Sequence, residues 1–232
     1  MGEVELERFL AAIDRDGALA ETRTAAEAAF TRRGLLAASI GGTAALLLGR
    51  PKDVAAAGGL AASDVGILNY ALALEYLQAS FYTEAERSGA LKGKAARAAT
   101  VVGATERAHV KAFQKLLGSR AVKRPLFDFQ GTTEQQRPFL KTAVALEDLA
   151  VAAYKGQAPK LQSSAVLTAA VGIHSVEARH AAWMRELFGI TPAVHAFDQP
   201  ASRSQVLRLV QSTKFVVSKP RVQGTGKPRF TG

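Results

Sequence analysis

Two pairs of residues, Glu106 with His109 and Glu177 with His180, are three positions apart in segments with helical periodicity. Residues at this spacing project from nearly the same face of an α-helix. Apolar residues lie four and seven positions away from each glutamate, so the carboxylate and imidazole fall on the apolar stripe of the helix. An unpaired charge is unfavourable there, and the pattern therefore predicts a group that compensates it.

A glutamate and then a tyrosine precede each pair in the same order. Glu75 and Glu147 are 72 positions apart, Tyr82 and Tyr154 are also 72 apart, and the glutamate and histidine pairs recur after 71. Both of these glutamates also lie on apolar stripes. A single Glu-x-x-His match is a weak signal, but a duplicated set in matching helical phase is a strong one. The repeat predicts two halves related by an approximate two-fold axis.

These side chains predict a metal site. Four ionised carboxylates in one apolar core repel one another, and their formal charge of −4 is balanced by two divalent cations bound together with two neutral imidazoles. The chain has no cysteine, which excludes thiolate ligands, and oxygen and nitrogen ligands suit iron, manganese or zinc. The candidate ligands are Glu75, Glu106, His109, Glu147, Glu177 and His180.

Two tyrosines are candidate catalytic residues beside the metals. Tyr82 and Tyr154 each follow a candidate ligand by seven residues, which is two helical turns on the same face. Hydrogen-bonded core tyrosines suit the same positions, and the sequence leaves both roles open. His174 has no counterpart in the first half, where Gly103 stands, and is predicted to cap a helix or lie at the surface. Three acidic residues off the stripes are predicted to face solvent: Glu84, Glu86 and Asp148.

The elements that position these residues are predicted to be helices from residue 60 onward, with no strand. Long helices are predicted over 63–87, 94–117, 133–155 and 160–188, and a shorter one over 202–212. Ser63 is the predicted first N-cap, and Gly118, Gly156 and Gly189 follow the ends of three helices. Helices of this length joined by loops predict an all-α protein, a four-helix bundle with a short fifth helix.

Residues 1–57 are predicted to be an export signal rather than part of the bundle. Arg32 and Arg33 precede an uncharged run over 34–49, and three alanines follow at 55–57. A run of sixteen residues is short for a membrane-spanning helix and suits the hydrophobic region of a signal peptide. The paired arginines resemble a twin-arginine signal. A membrane anchor and a buried apolar helix are the alternatives.

The C-terminal end, 214–232, is predicted to be a flexible basic tail. The formal net charge of the chain is +10, and seven lysines and arginines with no acidic residue lie after position 199. The chain has no base-reading motif and no interleaving of basic and aromatic residues, so the charge does not predict specific nucleic-acid binding. The bundle is therefore expected over 60–213, with membrane contact only through the signal segment.

At these residues the chain resembles the ferritin-like superfamily, and more narrowly the exported ferritin-like domain proteins related to the plant desiccation-related proteins. The similar segments are ILNYALALEYLQASFY at 67–82, TERAHVKAF at 105–113, ALEDLAVAAY at 145–154, HSVEARHAAWMREL at 174–187 and AFDQPASRSQVLRLV at 196–210. The resemblance covers about residues 60–213 and implies a ferritin-like four-helix bundle.

The resemblance also implies how the ligands divide between two metals. Glu106 and Glu177 match the positions that bridge the metals in related bacterioferritins and rubrerythrins, and Tyr82 matches a tyrosine held beside them. The terminal ligands implied for the two metals are Glu75 with His109 and Glu147 with His180.

Together these observations predict an exported, oxidoreductase-like protein with two iron ions per chain, or alternatively manganese. The expected partner is dioxygen or hydrogen peroxide, in a ferroxidase or catalase-like reaction. The alternative is a non-enzymatic stress-protection or structural bundle with a structural or vestigial metal site. Metal storage in a multimeric shell is a third interpretation and requires a large assembly, whereas the first two predict a small homo-oligomer. The predicted location is the periplasm, the cell envelope or the extracellular space.

Overall fold

The computed structural model describes residues 60–193 and 195–218, so the predicted export signal and the last part of the predicted tail lie outside the described residues. The long helices are α1 (Ala62–Ser88), α2 (Gly93–Leu117), α3 (Gln136–Gln157) and α4 (Ser164–Phe188), and the short α5 (Arg203–Thr213) follows them. Over the described ranges, no helix is both long and apolar enough to cross a membrane.

The four long helices form a bundle of two helix pairs. The helix α1 packs mainly against α2, and α3 packs mainly against α4, while contacts of α1 with α3 and of α2 with α4 join the pairs. The apolar stripe of each helix faces the shared core. Burial of these apolar side chains stabilises the fold. The predicted all-α four-helix bundle with a short fifth helix is confirmed.

The starts of α1 and α3 differ from their predicted positions. The N-cap of α1 is Ala61, so Ser63 lies inside the first turn and does not cap the helix. The helix α3 begins at Gln136 rather than at 133. Thr133 is instead buried in the preceding turn, where its hydroxyl donates a hydrogen bond of 2.6 Å to Glu84.

The helix α4 begins at Ser164 rather than at 160, because a buried carboxylate holds the chain that precedes it. Asp64 in the first turn of α1 accepts hydrogen bonds of 3.0 Å from the backbone amides of Gln162 and Ser163. The side chain of Ser163 then caps α4 by accepting from the backbone amide of Val166. This contact joins the start of the first helix to the start of the fourth.

A small antiparallel pairing extends the domain beyond α5. The strands β1 (Leu126–Phe127) and β2 (Val216–Val217) pair, and the backbone amide of Asp128 donates to the carbonyl of Phe215 at 2.8 Å. Phe215 is buried with its ring 5.3 Å from that of Phe129. The sequence predicted no strand and a flexible tail from residue 214, whereas residues 214–218 pack on the bundle through this aromatic contact.

The segment before α5 lies close against α3. The backbone amide of Ala201 donates to the carbonyl of Ala152 at 2.9 Å. A Cβ atom at Gly156 would lie 1.9 Å from the carbonyl oxygen of Ala201, so only glycine permits this approach. Gly156 was predicted to follow the end of the third helix, but α3 includes it and ends one residue later. From this anchor α5 buries Val206 against Tyr70.

Candidate metal centre

Each long helix brings one glutamate to the middle of the bundle. Glu75 of α1, Glu106 of α2, Glu147 of α3 and Glu177 of α4 are all fully buried. Their apolar neighbours at helical spacing hold the four helices together, and the carboxylates therefore meet in a region that excludes water. The helical phase read from the sequence placed these four side chains correctly.

His109 contacts three of the carboxylates through its Nδ1 atom. This atom lies 3.2 Å from Glu75 Oε2, 3.2 Å from Glu177 Oε1 and 3.5 Å from Glu106 Oε2. Only the contact with Glu75 has the geometry of a hydrogen bond. One nitrogen atom thus faces three oxygen atoms, which is the arrangement expected around a cation rather than around a single proton.

His180 is placed in the same way in the other half. Its Nδ1 atom lies 2.9 Å from Glu106 Oε1, 3.6 Å from Glu147 Oε2 and 4.0 Å from Glu177 Oε2. Despite these short distances, Nδ1 of His180 has no hydrogen-bond partner of suitable geometry among the described residues. All six predicted ligands are therefore in one cluster, and both histidines direct the same ring nitrogen into it.

The cluster divides into two groups that share two members. In each group, one ligand atom from every residue lies within 4.8 Å of the others, as a bound metal ion requires. One group adds Glu75 and His109 to the shared pair, and the other adds Glu147 and His180. The shared residues are Glu106 and Glu177.

Several buried ligand atoms lack a protein partner, which is the observation that tests whether a metal fits. Neither carboxylate oxygen of Glu106 has a hydrogen-bond partner in the described part of the chain, and the same holds for Glu147 Oε2 and Glu177 Oε1. Buried polar atoms are otherwise nearly always paired. The donor set of carboxylates and imidazoles fits divalent ions of the iron and manganese type.

Comparison with protein families agrees with this geometry. Residues 63–189, more than half of the chain, match the family model described as a ferritin-like domain. The chain belongs to the ferritin-like domain family. No curated protein matches the chain closely enough to be informative. The matched range runs from the first turn of α1 to the residue after α4, so the ferritin-like domain contains all six clustered residues.

The two candidate tyrosines of the ferritin-like domain bond to carboxylates of the opposite half. The hydroxyl of Tyr82 donates to Glu147 Oε1 at 2.5 Å, and the hydroxyl of Tyr154 donates to Glu75. Burial and the neighbouring carboxylate charges raise the pKa of both tyrosines well above the usual value, so both remain protonated donors. Their hydrogen bonds orient the terminal carboxylates, and a direct role in catalysis stays a prediction.

Gln78 is a site residue that the sequence analysis missed. It is buried, and its Nε2 atom donates to Glu177 Oε2 at 3.3 Å. Its position three residues after Glu75, on the same apolar stripe, is the signal that identifies it. The equivalent position in the second half is Ala150, so Gln78 breaks the two-fold symmetry of the ferritin-like domain at a shared ligand.

Without metal, the site holds protons. Burial, reinforced by the charge of Glu75, raises the pKa of Glu106 to about 7. Burial and the charge of Glu106 raise the pKa of Glu177 well above its usual value. Burial alone would lower the pKa of His180, but its contacts with Glu106 and Glu147 outweigh burial and raise that pKa to about 10. Metal binding therefore displaces protons from this cluster.

Four residues outside the cluster differ from their predicted roles. The three acidic residues predicted to face solvent are partly buried and bonded: Glu84 accepts from Thr133, Glu86 pairs with Arg107 at 3.0 Å, and Asp148 pairs with Arg185 at 2.7 Å. His174 lies half-buried inside α4 and caps no helix end, and burial lowers its pKa. The Glu86 and Asp148 ion pairs therefore join the two helices within each pair.

Proposed function

We propose that this ferritin-like domain binds two metal ions, iron or manganese, and reacts with dioxygen or hydrogen peroxide. The observation that carries the proposal is the pair of four-residue groups that share Glu106 and Glu177. A single structural ion needs only one such group. Two groups with two common carboxylates suit a pair of ions that Glu106 and Glu177 would help to hold together.

The two-fold relation between the halves divides the candidate ligands into two equivalent sets, and this division supports the proposal. Glu75 and His109 would hold one ion, Glu147 and His180 would hold the second, and the two shared carboxylates would contribute to both. The formal charge of −4 on four carboxylates balances two divalent ions, so the loaded cluster is neutral in an apolar core. This neutrality supports two ions per chain.

Bound iron would give electrons to dioxygen or peroxide, which is ferroxidase chemistry, and bound manganese would take two electrons from one peroxide and give them to another, which is catalase-like disproportionation. The protein contributes the positions of the ligands. The hydroxyls of Tyr82 and Tyr154 hold the terminal carboxylates Glu147 and Glu75, while the buried apolar side chains exclude bulk water.

We further propose that the protein is exported by the twin-arginine route and acts as a small homo-oligomer. Arg32 and Arg33 before an uncharged run support the export route. That route carries chains that are already folded, which suits a protein that takes up its metals before export. The periplasm, the envelope and the extracellular space are the locations that this proposal allows.

The experiment that tests the dinuclear centre is metal analysis by mass spectrometry of protein purified without an affinity tag. We expect about two iron or manganese ions per chain, and we expect loss of both in the double variant Glu106→Gln/Glu177→Gln. The matched control is Glu186→Gln, since Glu186 is an exposed glutamate of α4 away from the cluster. Loaded protein is then assayed with dioxygen and with peroxide.

The structural alternative gives a different result in the same experiment. If the wild-type protein carries no transition metal, and its unfolding midpoint does not rise when iron or manganese is added, the redox proposal is wrong. The bundle would then be a structural or stress-protection protein whose carboxylates share protons with His109 and His180.

A further inference from the structure

A cavity of about 30 Å³ lies between all four long helices at one end of the bundle. Its walls lie directly beside the group of ligands formed with Glu75 and His109. Ala71 and Phe113 line the cavity one helical turn from these two ligands, and Ile173 lines it one turn before Glu177. The cavity therefore borders one of the two metal positions.

Tyr154 joins the cavity to this metal position. Its ring forms part of the cavity wall, and its hydroxyl donates to Glu75. A molecule held in the cavity is thus separated from the carboxylates by a single side chain. Tyr154 is the tyrosine whose counterpart in the other half is Tyr82.

The two-fold relation between the halves identifies the equivalent positions at the opposite end of the described bundle, where larger side chains stand. Ala153 and Ile67 line the cavity, and the equivalent residues at the other end are Phe81 and Phe139. These two phenylalanines are fully buried and their rings are stacked 5.3 Å apart, with Phe129 packed against Phe81. Aromatic rings thus fill the space that alanine and isoleucine leave open.

The chemistry of the cavity wall is almost entirely apolar. Alanine, leucine, isoleucine, valine and phenylalanine side chains make up most of the lining. The polar exceptions near Tyr154 are Tyr70 and Gln157, whose hydroxyl and Nε2 atoms are buried and have no hydrogen-bond partner in the described residues. An apolar cavity of this kind stays free of tightly held water and binds small apolar molecules.

We propose that this cavity is a docking site for dioxygen beside the metal position formed with Glu75 and His109. The inference rests on the proposed function and narrows it from two oxidants to one. The volume suits a molecule of two heavy atoms, since a single water needs at least about 10–15 Å³. Dioxygen is apolar and loses little on entering such a cavity, whereas hydrogen peroxide gives up its hydrogen bonds to water.

The proposal makes the two metal positions unequal. Dioxygen reaches the position of Glu75 and His109 from the cavity, while the stacked rings of Phe81 and Phe139 close the corresponding approach to Glu147 and His180. An asymmetric reaction therefore arises from a nearly symmetric set of ligands.

Xenon tests the cavity without metal or reaction, because it is apolar and enters dry cavities of this kind. Methyl NMR spectra of the metal-free full chain would be recorded at rising xenon pressure. We expect shifts confined to methyl groups of the lining, those of Leu74, Val166 and Ile173. Absence of such shifts, or a water held in the cavity by Tyr70 and Gln157, would overturn the proposal.

A matched pair of variants tests the role of the cavity in the reaction. Ala71→Val fills it, and Ala145→Val makes the same change at an exposed position of α3. In metal-loaded protein we expect Ala71→Val to slow reaction with dioxygen on the order of tenfold, with metal content and the reaction with peroxide unchanged. Ala145→Val adds its two carbons at the surface and should leave all three unchanged.

Equal dioxygen rates in the two variants, with the xenon shifts lost only in Ala71→Val, would show that dioxygen does not use the cavity. Ala153→Leu is a second filling variant in case Ala71→Val does not fold. Xenon binding requires no metal. A failure to bind xenon is therefore a separate result from a lack of metal in the purified protein. The cavity and the dinuclear centre are therefore tested independently.

Discussion

Glu106 has the largest unmet hydrogen-bonding capacity of the described residues in the cluster, since neither of its carboxylate oxygens has a partner there. A buried carboxylate without hydrogen bonds is unfavourable when it is charged, and the raised pKa of about 7 expresses this. The metal-free protein is thus less stable with Glu106 than it would be with an uncharged residue of the same shape at this position. A bound cation would supply the partner that both carboxylate oxygens lack.

Replacement of this carboxylate therefore has opposite effects on stability and on metal binding. At about pH 8 we expect Glu106→Gln to stabilise the metal-free protein by about 1–3 kcal/mol, because the amide has the same shape and no charge. We also expect it to abolish binding of the second ion. Urea unfolding of metal-free protein measures the first effect. A loss of stability in the variant would contradict this account of Glu106.

Tyr154 supports a candidate ligand through the hydrogen bond that its hydroxyl donates to Glu75. We expect Tyr154→Phe to weaken binding at the position of Glu75 by about tenfold, the lower end of the range for lost hydrogen bonds to ligands. Stepwise metal titration followed by calorimetry measures this. Tyr82→Phe should affect the other position, through Glu147. Tyr76→Phe is the control, since the Tyr76 hydroxyl bonds to Val122 and Gln114 away from the cluster.

At the scale of the elements, the start of α4 depends on Asp64 of α1. Asp64→Ala removes the acceptor of two partly buried backbone amides, and we expect it to lower the free energy of unfolding by about 1–3 kcal/mol. Asp64→Asn keeps one acceptor oxygen and should lose less. Denaturant unfolding of both variants measures the difference. An equal loss of unfolding free energy in both variants would indicate that the charge of Asp64, rather than its hydrogen bonds, holds the start of α4.

Two glycines in helices have opposite surroundings. Gly156→Ala would place a Cβ atom against the carbonyl of Ala201, so we expect it to detach the segment before α5 and destabilise the domain by about 1–3 kcal/mol. Gly66 of α1 has no atom within 4 Å of such a Cβ atom. Gly66→Ala should therefore stabilise the domain by about 0.5–1 kcal/mol. Thermal unfolding of the pair checks both signs.

The elements and the ligand cluster differ in how far the sequence predicts them. The helices and their buried faces follow from local periodicity, and the duplicated spacing of glutamates and histidines fixes which faces carry ligands. The starts of α3 and α4 do not follow from local sequence, because Thr133 and Asp64 act on residues far along the chain. The pairing of β1 with β2 is also non-local, as is the hydrogen bond from Tyr154 to Glu75.

At the scale of the whole molecule, the cluster makes the stability of the metal-free protein depend on pH. The pKa of Glu106, about 7, lies above that of an ordinary carboxyl group, so the folded state holds a proton that the unfolded chain releases. The pKa of His180 is raised from 6.5 to about 10. Both contributions are present at low pH and are lost as the pH rises.

We therefore expect the Tm of metal-free protein to fall as the pH rises from about 5 to about 9. Protein loaded with metal should show the opposite slope over the acidic part of this range, because protons compete with the ions for the same ligands. Differential scanning calorimetry at constant ionic strength measures both. A Tm of the metal-free protein that rises with pH would contradict the shared-proton arrangement.

The crossed bonds from Tyr82 to Glu147 and from Tyr154 to Glu75 mean that neither half of the chain completes a ligand shell alone. A fragment that ended in the loop after α2 would keep Glu106 and His109 but lack the hydroxyl that holds Glu75. Two copies of such a half, however, would offer each other the missing groups by symmetry. The single chain thus has the layout of two linked copies of one half, in which the first half has Phe81 where the second has Ala153.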